Sequence, residues 1–434
     1  MIVMLTNSFS TNQKGHLTIC GADTVELAQK YGTPLYVFDE NDIRKNCLEF
    51  TQAFDEFWQS GYRVYYASKA FSCKEMYRIA KSQGLCVDVV SAGELYTALA
   101  ADFPAEKIGF HGNNKTPDEL RYAVNSGVGR IIVDNVTELY NLDEIAGQFG
   151  KTQKIILRIK PGIDAHTHDF VKTGQIDCKF GFALENGEAV EAVCEALNMK
   201  NVELCGIHCH IGSQIFDTEP FTHAAHVMID FADQIRAKFG KTFPEMNFGG
   251  GYGIKYLETD NPVSKRESIK LLCEEVKKCC EEKDYPLPVI MIEPGRSIIG
   301  SAGLTLYKIG VVKKIKDVRT YVSVDGGMSD NPRYALYGAE YEAVVANKAD
   351  KPRDFVATIA GKCCESGDLI QEHTKIQTPE VGDTLAVLAT GAYNYSMASN
   401  YNRIPRPAAV MVKYGTPRLI IERETLEDLI KKDI

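Results

Sequence analysis

Several residues with reactive or conformationally unusual chemistry stand directly after apolar, strand-like runs of the sequence. Lys69 follows VYYAS, where partial desolvation can turn a lysine amine into a nucleophile. Three glycines at 249–251 follow MNF, and bare backbone amides of this kind can approach a phosphate closely. Glu293 and Arg296 lie in EPGR after VIMI, and such a pair either forms a salt bridge or contacts a charged ligand.

Each feature also has an ordinary structural interpretation: a solvated lysine, a tight turn, a surface salt bridge. His208 and His210 in ELCGIHCH could bind a metal, but no acidic residue lies beside them and two histidines are too few for zinc. A stacking or buried core histidine fits this pattern better. Taken together, a lysine amine, a glycine loop, a flat imidazole and a carboxylate meet the needs of pyridoxal 5′-phosphate, namely a partner for its aldehyde, a phosphate anchor, a ring support and an anion at the ring nitrogen.

The elements that must position these residues form a repeating pattern between about residues 60 and 296. Apolar runs alternate with amphipathic segments, which predicts parallel strands covered by helices. Residues 219–236 show the helical period clearly, with Thr218 as a candidate N-cap and Pro220 in the first turn. Eight such units predict a closed (β/α)8 barrel, an α/β fold whose active site lies at the carboxyl ends of the strands. The eight predicted strands are 64–70, 85–91, 107–113, 130–135, 154–160, 203–210, 246–251 and 289–295.

The sequence after about residue 300 predicts a different architecture. Its apolar runs, among them LTLYKIGVVKKI and AAVMVKYG, lack comparable helices between them and are separated by Gly, Asp, Asn and Pro. The early runs LTICG and PLYVF precede the first barrel unit and are expected to join this β-rich region. We therefore predict a barrel domain over 41–300 and a discontinuous β domain, a sandwich or barrel, made of 1–40 and 301–434.

Composition excludes several functional classes. The 434 residues carry a formal net charge of −9, which argues against nucleic acid as the main partner. No run approaches the ~18 apolar residues of a membrane span, and the first residues lack the features of a signal peptide. The 13 cysteines are odd in number and form no CxxC pair, as expected for free thiols in a reducing compartment. We predict a cytoplasmic protein that binds neither nucleic acid nor membrane.

Ordered motifs along nearly the whole chain, from about Thr33 to Arg406, resemble one known family, the fold-type III pyridoxal-phosphate-dependent decarboxylases. The motifs are YASKA, PGIDAHTHDFVKTG with KFGF, GIHCHIGSQ, NFGGGYG, IEPGRS, DGGMSDNPRYALYGA, CCESGD and GAYNYSMASNYN. The resemblance implies a barrel with a C-terminal β domain, as in alanine racemase and ornithine decarboxylase. It also implies a homodimer with shared active sites. Two departures from the family pattern are Lys362, where proline is common, and Asn394, where glycine is common.

The resemblance also implies roles for individual residues. Lys69 corresponds to the lysine that binds the cofactor covalently, and His210 to the histidine stacked on its ring. The further cofactor contacts it implies are Ser213, Gly250, Gly251, Tyr393 and Glu293, the last as partner of the ring nitrogen. For the substrate, it implies a clamp for a distal carboxylate made of Arg296, Arg333 and Tyr337, with Tyr393 nearby. Cys364 and Glu365 are implied to reach the neighbouring subunit's site, the cysteine near the reacting carbon and the glutamate near a substrate ammonium.

Within the family, the motifs are most similar to those of the branch that acts on meso-2,6-diaminopimelate. The expected reaction is loss of CO2 from the D-centre to give L-lysine, the last step of lysine biosynthesis, with Cys364 or Lys69 as proton donor. Arginines favour a distal carboxylate, whereas ornithine or arginine would require an acid there. The alternatives are decarboxylation of carboxynorspermidine, ornithine or arginine, or a catalytically silent binding protein of the same fold. A racemase fits less well because Glu293 is the wrong partner for the ring nitrogen. No metal is predicted.

Overall fold

A computed structural model describes residues 6, 8–163 and 177–434 of the chain. These residues form two compact units. One unit comprises the described residues up to Asn46, the segment Ile254–Asn261 and Arg296–Ile434, and the other comprises Cys47–Gly253 and Pro262–Gly295. Most of the motif PGIDAHTHDFVKTG falls on 164–176 and lies outside the described residues.

The N-terminal elements begin with a small antiparallel sheet. This sheet is anchored in the core of its unit by the buried side chains of Phe9, Leu17 and Ile19. The Asp23 carboxylate caps the first helix by accepting hydrogen bonds from two backbone amides. The elements are β1 (Phe9–Thr11), β2 (Leu17–Ile19), β3 (Ala22–Asp23), α1 (Thr24–Tyr31), β4 (Leu35–Asp39) and α2 (Glu40–Phe57).

The second unit is a closed barrel of eight parallel strands with helices between them, which confirms the predicted fold. Its strands pair in the ring order β5, β6, β7, β8, β9, β11, β12, β13 and back to β5, while β10 pairs outside the ring with β9. The elements are β5 (Tyr62–Ala67), α3 (Lys74–Ser82), β6 (Cys86–Val89), α4 (Ala92–Leu99), β7 (Ile108–Phe110), α5 (Pro117–Ser126), β8 (Arg130–Val133), α6 (Val136–Gln148), β9 (Gln153–Lys160), β10 (Phe182–Ala183), α7 (Glu188–Asn198), β11 (Val202–His208), α8 (Glu219–Phe239), β12 (Glu245–Asn247), α9 (Lys265–Glu282) and β13 (Val289–Ile292).

Each predicted barrel strand overlaps an observed one, although the predicted ends extend into the loops that follow. The helix predicted over 219–236 is α8, and Pro220 lies in its first turn as expected. Thr218 occupies the N-cap position but its side chain makes no capping hydrogen bond, because its backbone is already helical there. None of the helices in the described part of the chain is both long and apolar enough to cross a membrane.

The remaining elements complete the β-rich unit. Its main sheet has the order β18, β17, β15, β14, β4, β20, β21, and β19 pairs with both β14 and β16. The early strand β4 is antiparallel to β14 and parallel to β20, so the PLYVF segment lies inside this sheet as expected. The elements are α10 (Arg296–Ile299), β14 (Gly303–Ile315), β15 (Arg319–Val324), α11 (Arg333–Tyr337), β16 (Ala343–Val345), β17 (Phe355–Ala360), β18 (Leu369–Ile376), β19 (Thr384–Leu388), β20 (Ala408–Lys413), β21 (Thr416–Ile421) and α12 (Leu426–Ile430).

Candidate active site

The predicted cofactor residues of the barrel unit follow the carboxyl ends of its strands. Lys69 lies in a 3-10 turn, Ser68–Ala70, just beyond β5, rather than within the strand as its motif suggested. His210 follows β11 and Glu293 is the first residue after β13. Gly250 and Gly251 follow β12. Because the carboxyl ends of parallel barrel strands meet at one rim, these side chains belong to one face of the barrel.

A buried carboxylate, that of Glu293, is the most heavily contacted of these groups. Its Oε1 lies 2.8 Å from Nε2 of His111 and 2.7 Å from the donating Nδ2 of Asn247. Its Oε2 lies 3.1 Å from Nε2 of His208. The two imidazoles meet edge to face, with ring centroids 5.0 Å apart. Three side chains, one just after β7 and the others on β11 and β12, therefore contact the two carboxylate oxygens.

The protonation states of this cluster follow from its burial. Burial lowers the pKa of His208 to about 4 and also lowers the pKa of His111, so both imidazoles are neutral near pH 7. Burial by itself disfavours a charge on Glu293, but His111 and His208 at its oxygens lower its pKa well below the usual range. A neutral His208 that carries its proton on Nε2 donates to Glu293, as does Nδ2 of Asn247, while Nε2 of His111 makes a short contact with Oε1; these groups keep the carboxylate ionised. The site thus holds a fixed negative charge in the barrel.

The glycine loop after β12 packs against the loop after β11. The Gly250 N–H donates to Nδ1 of His210 at 3.3 Å, which places the imidazole proton on Nε2. A Cβ on Gly249 would stand 2.5 Å from the carbonyl oxygen of Cys209, and one on Gly250 would collide with the carbonyl oxygen of Glu293. The loop that carries Ser213 is joined to the glycine loop by the bond from the Ile215 N–H to the Gly251 carbonyl, at 2.9 Å. Only backbone can occupy this position.

Lys69 is exposed in the described chain, and its charge reaches two buried groups. Burial and next the positive charge of Lys69 lower the pKa of His210 well below its usual value. Burial, followed by the negative charge of Glu293, raises the pKa of Asp88 well above the usual range. The positive charge of Lys69 partly opposes this shift. The Oδ1 of Asp88 is buried and has no hydrogen-bond partner in the described part of the chain. A ligand between these groups would meet an amine, an imidazole and two acids.

The β-rich unit brings together the predicted carboxylate clamp. Arg296 and Arg333 are both buried, and their guanidinium carbons lie 4.8 and 5.6 Å from the ring centroid of Tyr393. Arg333 also lies 5.3 Å from the ring of Tyr337. Arg296 donates to the hydroxyl of Tyr256 at 2.5 Å. Tyrosine rings stabilise these cations without neutralising them.

Arg333 lacks the partner that a buried cation normally has. Among the described residues the groups that interact with the Arg333 charge are the tyrosines Tyr341, Tyr256 and Tyr393 and no carboxylate, and its Nε makes no hydrogen bond. Tyr393 has a positive φ of 61°, which is uncommon for an aromatic residue. The departure at Asn394 has a structural role, since its buried Nδ2 donates to the Tyr341 hydroxyl at 3.3 Å and to the Thr390 carbonyl at 3.1 Å. The arginine cluster is therefore framed by tyrosines and an amide.

Cys364 and Glu365 lie on the surface of the β-rich unit. The Cys364 N–H donates to Oδ1 of Asn402 at 2.7 Å, and the Glu365 N–H to the carbonyl of Cys363. All 13 cysteines are free, and Cys364 is the exposed one among them. The contacts of these two residues are with their own loop and Asn402, so the structure does not bring them to the other predicted site residues.

Sequence reasoning missed His111, Asn247 and Tyr256, which contact predicted site residues in the structure. His111 stands directly after β7 in the run KIGFHGN, and Asn247 is the last residue of β12; the strand-end argument applied to Lys69 would have identified both. His208, for which a metal ligand and a core histidine were both considered, is buried and contacts Glu293, as expected for a core histidine with a polar partner. Tyr256 lies in an isolated segment, Ile254–Asn261, and no pattern in the sequence marked it.

A barrel with an amine, a fixed carboxylate and a glycine loop at its strand ends matches the class of pyridoxal-dependent decarboxylases. The profile of the family described as "Pyridoxal-dependent decarboxylase, pyridoxal binding domain" matches residues 40–300. This confirms the predicted class and, with it, pyridoxal 5′-phosphate as the cofactor.

Similarity to individual proteins extends over nearly the full length. A diaminopimelate decarboxylase from Bacillus subtilis (strain 168) is 49% identical, with 98% of this chain and 96% of the relative covered. One from Bacillus methanolicus is 51% identical, with 95% of each covered. The crystal structure of diaminopimelate decarboxylase from M. jannaschii in co-complex with L-lysine superposes with a TM-score of 0.92 at 35% identity, covering 100% of this chain and 99% of that one. The chain belongs to the diaminopimelate decarboxylase family.

The residues at the barrel rim fit the cofactor that the family uses. The glycine loop has no room for a Cβ at 249 or 250, so its backbone stands bare as a phosphate site requires. Glu293 is an ionised buried acceptor, which suits a protonated ring nitrogen. His210 presents a flat imidazole whose orientation is held by Gly250, and Lys69 supplies an amine.

Proposed function

We propose that this protein decarboxylates meso-2,6-diaminopimelate at its D-centre, giving L-lysine and CO2 as the last step of lysine biosynthesis. The observation that carries the substrate assignment is the pair of buried arginines around Tyr393, of which Arg333 has no carboxylate partner among the described residues. A substrate with a second carboxylate at its distal end supplies the missing anion. The M. jannaschii relative was crystallised with L-lysine, which is the product expected here.

Most of the residues that are proposed to hold the cofactor belong to the barrel unit. Lys69 binds the cofactor covalently, and His210 stacks on the ring. Ser213, Gly250 and Gly251 hold the phosphate with help from Tyr393, while Glu293 binds the ring nitrogen. When bound, pyridoxal phosphate supplies an electron-poor ring that takes up the electron pair left behind as CO2 departs. Glu293 keeps the ring nitrogen protonated because His111, His208 and Asn247 hold its carboxylate ionised.

The remaining steps belong to side chains that bind or move protons. Arg296 and Arg333 orient the substrate through its distal carboxylate, with Tyr337 and Tyr393 at the edge of this clamp. Charge-assisted bidentate contacts of this kind give geometric specificity as well as affinity. A proton must reach the carbon that loses CO2, and Lys69 and Cys364 are the two candidate donors.

We also propose that the protein is a homodimer with shared active sites in the cytoplasm. The support for the dimer is the exposure of Cys364 and Glu365, which the family resemblance assigns to a neighbouring subunit's site. Glu365 then binds a substrate ammonium. The support for the location is that 13 thiols are all unpaired, as in a reducing compartment.

The test is lysine formation from meso-diaminopimelate by the purified protein with added pyridoxal phosphate. Parallel reactions contain ornithine, arginine or carboxynorspermidine. We expect lysine from diaminopimelate and no CO2 from the other three. Release of CO2 only from another substrate would overturn the assignment of the arginine clamp, and turnover of none would favour a catalytically silent binding protein.

A further inference from the structure

Two neighbouring helices on the outside of the barrel bring together three side chains that the proposed reaction does not use. His226 lies on α8, and Glu275 and Cys279 lie one turn apart on α9. The Cys279 Sγ is 3.3 Å from Nδ1 of His226 and 3.8 Å from Oε1 of Glu275. The same Glu275 oxygen is 2.5 Å from Nε2 of His226. One candidate ligand atom from each residue lies within 4.8 Å of the others.

These separations match those around a tetrahedral zinc ion. Zinc binds sulfur at about 2.3 Å and nitrogen or oxygen at about 2.0–2.2 Å, so ligand atoms at tetrahedral angles lie roughly 3.3–3.7 Å apart. The Sγ to Nδ1 distance of 3.3 Å lies at the lower end of this range, and the Sγ to Oε1 distance of 3.8 Å lies just above it. A cation can therefore bridge Sγ and Nδ1 near their present positions, and a rotation of the Glu275 side chain completes the set.

The nitrogen of His226 that lies against the thiol is Nδ1, at 3.3 Å from Sγ of Cys279. Its other nitrogen, Nε2, lies 2.5 Å from Oε1 of Glu275, and the Lys278 ammonium lies 3.3 Å from the same oxygen. To bind a cation together with Nδ1 and Sγ, the Glu275 carboxylate turns away from Nε2 and Lys278. The set of one sulfur, one nitrogen and one oxygen ligand is typical of zinc and poor for Mg²⁺ or Ca²⁺.

Access to the site is from one side. The Cys279 side chain is buried, the Glu275 side chain is 20% exposed and that of His226 is 41% exposed. Solvent can therefore deliver the cation and supply a fourth ligand as water.

We propose that His226, Glu275 and Cys279 form a surface binding site for Zn²⁺ or a similar soft divalent cation, completed by water. The bound cation links α8 to α9. These helices follow the loops that carry Ser213 and Gly250, so the cation stabilises the part of the barrel that holds the glycine loop without entering the reaction. The site does not depend on the proposed decarboxylation.

Cobalt is the most direct probe, because Co²⁺ bound to sulfur gives visible d–d and sulfur-to-metal charge-transfer bands. The holoenzyme is treated with a chelator and then titrated with Co²⁺, followed by displacement with Zn²⁺. We expect one strong site per chain. We also expect a Tm that rises with zinc concentration and decarboxylase activity that does not change.

Three variants assign the ligands. Cys279→Ser should lose the charge-transfer band, and His226→Ala and Glu275→Gln should each weaken binding at least tenfold. Cys280→Ser is the matched control, since Cys280 is a neighbouring buried cysteine of α9 outside the cluster, and it should bind like the parent protein. Because His226 is partly exposed, His226→Ala keeps the test valid if Cys279→Ser does not fold.

The proposal is overturned if Co²⁺ gives no bands at millimolar concentration, or if the bands persist unchanged in His226→Ala and Cys279→Ser. Loss of the bands in Cys280→Ser alone would also contradict it. Failure of the decarboxylase assay would leave these results unaffected, since metal binding is read from cobalt absorbance and Tm.

Discussion

Two buried charged side chains in this protein, those of Glu293 and Arg333, differ in the partners that surround them. Glu293 in the barrel unit is contacted by His111, His208 and Asn247, which engage both of its oxygens. Arg333 in the β-rich unit is also buried but is surrounded by tyrosine rings, with no carboxylate partner among the described residues and with Nε unbonded. The fold supplies polar partners to both oxygens of Glu293 and no anionic partner to Arg333.

We interpret this difference in partners as that between a site for a permanently bound cofactor and a site for a transient substrate. A carboxylate already held by hydrogen bonds from His208 and Asn247 and by a short contact with His111 keeps its position and charge whatever is bound, as a cofactor site requires. A buried cation without an anionic partner is costly in the free protein and gains most when a ligand brings a carboxylate. Under the proposed function, the barrel site is organised in advance, whereas the substrate completes the arginine cluster.

The largest expected effect tests whether the barrel rim holds the cofactor at all. Lys69→Ala removes the amine that binds it, so turnover should fall about 10³-fold or more. The absorbance of the covalently bound cofactor should disappear as well. Lys74→Ala, at the exposed start of α3, is the matched control and should keep both. Normal activity in Lys69→Ala would contradict the assignment of Lys69 as the residue that binds the cofactor.

The next effect concerns the fixed charge. Glu293→Gln preserves the shape of the side chain and removes its charge, so the ring nitrogen loses its anionic partner. We expect kcat to fall about 10²- to 10³-fold, in line with the loss of one preorganised electrostatic group. The pH dependence of the bound cofactor's absorbance should change with it. A kcat loss without any spectroscopic change would indicate a structural role only.

The proposed substrate clamp of the β-rich unit is tested by Arg333→Ala. Losing a charge-assisted contact to the distal carboxylate should raise KM for diaminopimelate about 10- to 100-fold. The bound cofactor spectrum should stay the same. Arg319→Ala is the control, because Arg319 pairs with Glu372 at the surface of the same unit. If KM is unchanged in Arg333→Ala, Arg333 does not belong to the clamp.

How far the sequence predicts the site follows from the same two regions. The barrel was predictable because each strand is a short apolar run, and Lys69, the glycines and Glu293 stand at its strand ends. His111 and Asn247 stand there too, but a histidine or asparagine beside a strand is common and neither attracted attention. Their role depends on a contact with Glu293 from far along the chain, which no local pattern encodes.

The arginine cluster could not be predicted from local sequence patterns. Arg333 and Tyr393 come from segments 60 residues apart with no periodic signal, so only the family resemblance pointed to them. The strands β16 and β18 were also not predicted; β16 has three residues and β18, LIQEHTKI, mixes polar and apolar side chains. Asn394 was noted as a departure, yet its hydrogen bond to Tyr341 required the fold.

The smallest expected effect sharpens the claim that neutral histidines hold Glu293. In His208→Gln an amide can still donate to the carboxylate, so kcat near neutral pH should fall about tenfold or less. The stability effect depends on pH. The pKa of His208 in the folded protein is about 4, below the usual 6.5, so the unfolded chain binds more protons between these values. The free energy of unfolding therefore falls as the pH drops through this range, and His208 contributes about 2 kcal/mol of that loss between about pH 7 and pH 5.

Glutamine does not titrate, so His208→Gln should lose less stability than the parent protein over the same interval. Urea midpoints at both pH values measure this, with the exposed His223→Gln on α8 as the control. An identical pH dependence in His208→Gln and the parent protein would mean that His208 is not held neutral. His111 and Asn247 would then be the side chains that keep Glu293 ionised, and His208 would contribute less to this than its contact with the carboxylate indicates.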